Sequence, residues 1–325
     1  MNRFGTRFRI ALWGESHGPQ IGVVLDGVPA GIALATEDFA TDLTRRRSGP
    51  TGTTPRREAD IPQLVSGIYR GRTTGAPLTI EFTNTDTCPQ DYDATAGHDR
   101  PSHADRTAYE KFGGWNDPRG GGHFSGRLTL TLTTAGVVAK KMLPANVAFS
   151  TDIVEIGGCT EPERFDTLLH ETAEAKDSVG GMVECRVQGV PAGLGDPYFD
   201  SAESVIAQLL FAIPGVKGVA FGSGFAGAQM RGSEHNDPIV DAAGHTATNH
   251  AGGIAGGLTN GNELVVRAAF KPTASIGRPQ NTYNRMTEQV EPLILAGRHD
   301  VCIALRGAVV VEAAVAIALA DLLHR

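Results

Sequence analysis

The segment LTLTLTTAGVVAKKML, Leu128 to Leu143, supports two readings that lead to different folds. Leu128, Leu130 and Leu132 alternate with threonines, as on a strand with one buried face. Leu128, Leu132, Ala135 and Ala139 also line one face of a helix, at three- and four-residue spacing. The residues of the segment leave both readings open.

Working outward, 84–127 is long, aperiodic and rich in Gly, Asp, Pro and His, and loops of that length are usually functional or disordered. Before it, Phe8 to Trp13, Ile21 to Leu25 and Leu78 to Phe82 read as strands. Thr36 is placed to cap a helix from Glu37 to Arg46, with Phe39 and Leu43 on one face. Arg47 to Arg57 reads as a polar loop. After the segment, Thr160, Pro162 and Glu163 predict a helix start, and the helix runs to about Ala175. Met182 to Val187, Val216 to Phe221 and Glu263 to Phe270 read as strands. Asp200 and Glu203 open a helix ending at Phe211, and Val309 to Leu323 reads as a terminal helix. One pentapeptide occurs twice, as Gly27-Val28-Pro29-Ala30-Gly31 and as Gly189-Val190-Pro191-Ala192-Gly193. Each copy follows a strand and precedes an acid-capped helix, which predicts two related halves. No linker interrupts the chain, so a single domain over 1–325 is expected.

The chain carries 41 glycines in 325 residues, in clusters and without a Gly-X-Y period, so collagen is excluded. With 41% hydrophobic residues it is no flexible linker either. A net charge of −7 disfavours a nucleic-acid binder. Only six of the 29 basic residues are lysine, so the cations are mostly planar, bidentate guanidiniums suited to phosphate and carboxylate. Cys88, Cys159, Cys185 and Cys302 show no CxxC spacing, so reduced thiols in a cytoplasmic protein are expected. The N-terminus lacks an apolar signal core, and Arg306, Glu312 and Asp321 interrupt the most apolar stretch, so no membrane span is expected.

Two short motifs mislead. Gly14-Glu15-Ser16-His17-Gly18 matches the GxSxG of serine hydrolases, but a strand rather than a helix follows it. Gly222, Gly224 and Gly227 match GxGxxG, but a polar, turn-rich run follows. His103 with Asp105, and His299 with Asp300, lack a third ligand at a supporting spacing, so no metal is expected. The arginines say more. Arg45 to Arg47, Arg100, Arg127 and Arg298 recur beside glycine, proline, histidine or aspartate, as a shared anion site would require.

Together these pieces closely resemble the chorismate synthase family. The resemblance rests on GESHG from Gly14, DGVPAG from Asp26, RRR from Arg45, RREAD from Arg56, RPSHAD from Arg100, RGGG from Arg119 and SGR from Ser125. It continues in DSVGGMVECRVQGVPAGLG from Asp177, IPGVKGVAFGSGF from Ile213, TNHAGGIAGGLTNG from Thr248, FKPTASI from Phe270 and GRHDVC from Gly297.

The resemblance implies an α+β fold, a β-α-β sandwich with antiparallel sheets around a helical core, and Leu128 to Leu143 helical within it. It implies a homotetrameric lyase of aromatic amino-acid biosynthesis. Such enzymes convert 5-enolpyruvylshikimate 3-phosphate to chorismate and phosphate by 1,4-elimination. They need reduced flavin mononucleotide (FMN), with NADPH only an indirect source of electrons. No nicotinamide domain is evident, so an external flavin reductase is the expected partner. By resemblance, His17, His103 and Asp300 are catalytic. His17, Arg46, Arg47, Arg100, Ser125, Arg127 and Arg298 would bind substrate. Ser125, Gly126, Arg127, Pro214, Gly215, Gly256, Lys271, Pro272, Thr273, Ala274, Ser275 and Arg298 would bind the flavin. The chain departs from the family pattern at Thr51 and Gly52, where an arginine is usual, and at His123, Leu128 and Pro214-Gly215. It is also shorter between Met142 and Gly157. A serine hydrolase using Ser16 and a flavin binder without catalysis are the rival readings.

Overall fold

In a computed structural model that describes residues 2–49, 51–54, 56, 58–87, 97–295 and 299–325, the ambiguous segment is helical. It forms α3 (Thr129–Met142), and every residue from Thr129 to Ala139 is buried. The Leu/Thr alternation misleads because the helix is enclosed on all sides. Its threonines need no solvent: Thr131, Thr133 and Thr134 donate to the carbonyls of Leu128, Thr129 and Leu130 at 2.6, 3.0 and 2.8 Å. Hydroxyls that bond back along their own helix leave only methyl groups to pack.

Two antiparallel sheets flank the helices. The first has the order β1 (Arg3–Phe4), β2 (Arg9–Gly14), β3 (Gln20–Asp26), β7 (Leu78–Thr83), β4 (Gln63–Ser66). The second has the order β10 (Val216–Phe221), β13 (Leu264–Phe270), β9 (Gly181–Gln188), β8 (Ala148–Ile156). Register puts apolar pairs on the inner faces: Ile21 opposite Phe82 and Val23 opposite Ile80 in one sheet, Cys185 opposite Val266 and Val187 opposite Leu264 in the other. The first sheet packs on α3, and the second on α7 (Ala304–Leu323) and α5 (Ala202–Phe211). α1 (Ala40–Arg46) packs on α3 and α7. One buried apolar cluster runs through both sheets and the helices between them. The expected sandwich is the observed one.

α3 and α7 cross closely. A Cβ on Gly136 would lie 2.3 Å from the Cβ of Ala313, so the crossing admits only glycine there without a shift. Polar groups inside the helical layer are paired: Arg45 and Lys140 both reach Glu312, and Lys140 also reaches Asp42. Burial works against the Glu312 charge, but these cations outweigh it and hold its pKa at about 2.

Several boundaries differ from the expectation. Thr36 is no cap: it starts a 3-10 turn whose first amide, Ala35 N–H, donates to Asp38 at 2.8 Å. Ser201, not Asp200, caps α5 by accepting from the Ser204 amide. Helix α2 (Asp105–Phe112) lies inside the supposed loop, and α4 (Phe165–Glu174) follows the Pro162 turn. α6 is one turn (Gly232–His235). Three short ribbons complete the fold: β5 (Ile68–Tyr69) with β6 (Arg72–Thr73), β11 (Ile254–Ala255) with β12 (Leu258–Thr259), and β14 (Gln280–Asn284) with β15 (Gln289–Leu293).

The two halves share one topology. β2-β3-β7-β4 matches β8-β9-β13-β10 strand for strand, with α1 matching α5, α3 matching α7, and β5-β6 matching β11-β12. The echoed turns bond alike. Thr73 Oγ1 donates to Pro29 O and accepts from Ile32 N–H; Thr259 Oγ1 donates to Pro191 O and accepts from Leu194 N–H. Gly31 N–H donates to Thr73 O, and Gly193 N–H to Thr259 O.

Candidate active site

A cleft of about 1110 Å³ opens where α3 and α7 begin, with Thr129 and Ile303 on its wall. The N-terminal ends of both helices lie on this side, where the helix dipole favours anions. The loops after β2, α1 and α5, the segment before α2, and the end of β13 bring the remaining walls.

Ser16 is buried at the turn between β2 and β3. Its Oγ accepts from Arg56 Nη1 at 3.1 Å and lies 3.2 Å from His17 Nδ1; Arg56 Nη2 also donates to Ser16 O at 3.2 Å. With Arg56 as an obligatory donor, Ser16 Oγ is held in place beside the His17 ring. No helix follows Ser16, so the nucleophile elbow of a hydrolase is absent. His17 lies behind Gly120, where an added Cβ would come within 2.4 Å of its ring.

Asp105 opens α2. It takes a bidentate Arg100 at 2.6 and 2.7 Å and the Nδ1 of His103 at 2.7 Å. Burial raises its pKa, but these hydrogen bonds outweigh burial and hold it well below the usual carboxylate range. An ionised Asp105 can only accept, so His103 carries a proton on Nδ1, leaving Nε2 as its exchangeable position. The ring edge faces Gly121, whose Cβ would stand 3.1 Å away.

Asp60 unites two arginines. Arg127 Nη1 pairs with its Oδ1, and Arg46 Nη1 lies 3.8 Å from its Oδ2. Arg46 is 1% exposed, and it donates to Thr129 Oγ1 and to Gly126 O and Arg127 O, so it supports the start of α3 from behind the wall. Burial, then the charge of Arg306, push its pKa well down. Arg127 Nη2 is buried and without a hydrogen-bond partner among the described residues.

Asp300, just before α7, accepts from Thr54 N–H at 2.8 Å and from Arg306 at 3.2 Å. Its neighbour His299 is held neutral: burial, then the charge of Arg100, lower its pKa to about 4. On the opposite wall stand Pro214, Gly215, Lys271, Thr273, Ala274 and Ser275. An enclosure lined by this many guanidiniums and by His103, His123 and His299, with two helix N-termini, can bind a polyanion and move protons on it.

The comparisons agree. The sequence pattern of chorismate synthase matches residues 8–324. The chain belongs to the chorismate synthase family. A chorismate synthase of Chitinophaga pinensis is 54% identical over 321 residues, covering 99% of this chain and 96% of that one. One of Opitutus terrae is 42% identical over 349 residues, covering 98% and 96%. A crystal structure of a chorismate synthase, 26% identical, superposes with a TM-score of 0.76 and covers 98% of this chain and 92% of that one. As a chorismate synthase the protein is a lyase of aromatic amino-acid biosynthesis, and its substrate is a small molecule. It converts 5-enolpyruvylshikimate 3-phosphate to chorismate and phosphate. No helix among the described residues is long and apolar enough to cross a membrane.

Of the chorismate synthase residues expected from sequence, Arg47, Arg100, His103, Ser125, Gly126, Arg127, Pro214, Gly215, Lys271, Thr273, Ala274, Ser275 and Asp300 line the cleft. His17 and Arg46 stand behind its wall, and Pro272 adjoins the lining residues. Gly256 lies apart, at the turn between β11 and β12. Arg298 lies outside the described residues. Arg56, His299 and Arg306 line the cleft although the sequence had singled out only His299, as a metal candidate. The RREAD motif was a signal for Arg56. Arg306 gave none, since it reads as one polar residue on an apolar helix. At Gly52, where the departure from the family pattern falls, φ is +83° and an added Cβ would stand 3.0 Å from Leu169 and 3.1 Å from Leu305.

Proposed function

We propose that the cleft carries out the 1,4-elimination with His17 as proton donor, Asp300 as proton acceptor and His103 beside a bound reduced FMN. The observation that carries this reading is the convergence of Arg47, Arg56, Arg100, Arg127 and Lys271 on one cleft at two helix N-termini. Substrate and cofactor together bring two phosphates and two carboxylates, which calls for that many cations in an acidic chain. The residues suit the flavin: Arg127 Nη2 and Thr273 Oγ1 are buried donors without a partner among the described residues, and Gly126, where an added Cβ would meet nothing within 4 Å, lets a ligand approach backbone. Lys271, Thr273 and Ser275 would hold its phosphate, and Ser125, Arg127, Pro214 and Gly215 its remainder. When bound, reduced FMN supplies electron density that helps phosphate leave and is recovered afterwards.

In the elimination, the C–O bond to phosphate breaks with its electron pair going to oxygen. A ring proton leaves, its C–H electrons form one ring double bond, and the double bond already present shifts to the carbon that loses phosphate. His17, positioned by Ser16, gives its proton to the departing phosphate. Asp300, held by Thr54 N–H and Arg306, assists removal of the ring proton. His103, kept with a proton on Nδ1 by Asp105, exchanges a proton at Nε2 beside the flavin. Arg46 acts by bracing the start of α3, and Arg47, Arg100 and Arg298 bind substrate anions. Each acid–base step contributes about 10² to 10⁴-fold.

The reading extends to the whole protein: one catalytic domain over 1–325, cytoplasmic, a homotetramer, and dependent on an external reductase with NADPH only an indirect electron source. Gly256, remote from the cleft of its own chain, would meet flavin across a subunit contact. The test is anaerobic turnover with 5-enolpyruvylshikimate 3-phosphate. Dithionite-reduced FMN gives phosphate release, and NADPH with oxidised FMN gives none until a flavin reductase is added. No release from reduced FMN, with flavin bound, would overturn the reading.

A further inference from the structure

β10 is irregular. Its ladder with β13 slips between Val216 and Gly218, leaving Lys217 as an extra residue. A bulge re-aims a side chain against the alternation of its strand. Val216 and Lys217 both line the cleft with Pro214 and Gly215, Val216 buried and Lys217 exposed, so the bulge sets two consecutive residues on one wall. Lys271 reaches the same wall from the end of β13, tied there by its amide, which donates to Gly215 O at 2.9 Å. The two ammonium groups feel each other: burial first, then the charge of Lys217, lower the Lys271 pKa. Neither has a carboxylate partner among the described residues; the one contact of Lys271 Nζ is Pro272 O at 3.4 Å. Thr273 Oγ1, on the same wall, is buried and unpartnered among the described residues. Its loop is pinned by Ser178, whose hydroxyl donates to Thr273 O at 2.7 Å.

Two cations without counter-ions and an orphaned hydroxyl make a site for a compact dianion with several acceptor oxygens, which is what a phosphate monoester is. We propose that Lys217, turned into the cleft by the bulge of β10, binds a ligand phosphate monoester together with Lys271 and Thr273. This deepens the reading of the cleft as a flavin and substrate site and rests on it. The phosphate belongs either to FMN or to the substrate, and the arms of the test separate the two.

The experiment titrates wild type, Lys217→Gln and Lys217→Arg with oxidised FMN and with riboflavin, by flavin fluorescence, and with 5-enolpyruvylshikimate 3-phosphate, by calorimetry. Loss of one charge-assisted contact is expected to weaken the phosphorylated ligand about tenfold or more. Lys217→Arg restores most of that loss, and riboflavin is unaffected. A loss confined to FMN assigns the cofactor phosphate, and one confined to the substrate assigns the substrate phosphate. Unchanged affinity for both phosphorylated ligands, or an equal loss for FMN and riboflavin, overturns the proposal. A wild-type protein that takes neither FMN nor the substrate refutes the reading of the cleft instead.

Discussion

At His299 two neighbours and burial decide a charge. The lowered pKa, about 4 against the usual 6.5, keeps the ring neutral at physiological pH. Because folding disfavours the protonated form, the stabilisation is complete above pH 6.5 and is lost as pH falls toward 4. His299→Gln is therefore expected to flatten the slope of stability against pH between 4 and 6.5, as read from urea midpoints in that range. An unchanged slope would show that another group is responsible. At His17 the expectation concerns chemistry. His17→Ala should lower phosphate release about 10² to 10⁴-fold while leaving FMN binding intact, since no flavin contact is assigned to that ring. Motifs made His17, His103 and Asp300 legible in sequence. What they withheld was the support: that Arg56 holds Ser16, that Asp105 orients His103, and that Arg46 is buried. Those are relations between residues distant in the chain, and spacing does not encode them.

Among elements, α3 was the one whose reading decided the fold, and pattern alone leaves it open. Amphipathic periodicity exists only where one face meets water, and α3 has no such face over Thr129 to Ala139. α7, equally buried, was read correctly because its length and alanine content exclude a strand. Gly136 records how tightly the two pack. Gly136→Ala gains about 1 kcal/mol of helix propensity, but its methyl group would collide with Ala313. The net expectation is a loss of about 1–3 kcal/mol, seen as a melting temperature lowered by several degrees. An unchanged or raised melting temperature would mean that the helices separate at no cost. β8, β4 and the β14-β15 ribbon escaped prediction because their exposed faces carry mixed polar residues. β10 was foreseen, but its bulge was not, since one extra residue in a strand leaves no mark on hydrophobic pattern.

For the whole molecule, the repeated pentapeptide marked two halves of one topology. The matching bonds of Thr73 and Thr259 give that symmetry an energetic test. Thr73→Ala and Thr259→Ala should cost similar amounts, about 1–2 kcal/mol each, and the double variant their sum, because the two share no partner. Chemical denaturation of the three variants checks it, and strongly unequal single costs would make the echo a coincidence of turn sequence. The glycine excess has a similar explanation: Gly120 and Gly121, both at positive φ, leave room for the rings of His17 and His103. Sequence by itself determined the family, most strands and helices and the two-fold echo, because each depends on local residue type and order. Only the tertiary structure decided that α3 is a helix buried on every side, that Gly256 stands away from the cleft of its own chain, and that Lys217 faces into it. Those outcomes depend on which distant segments pack together, and burial, pairing and direction exist only once they do.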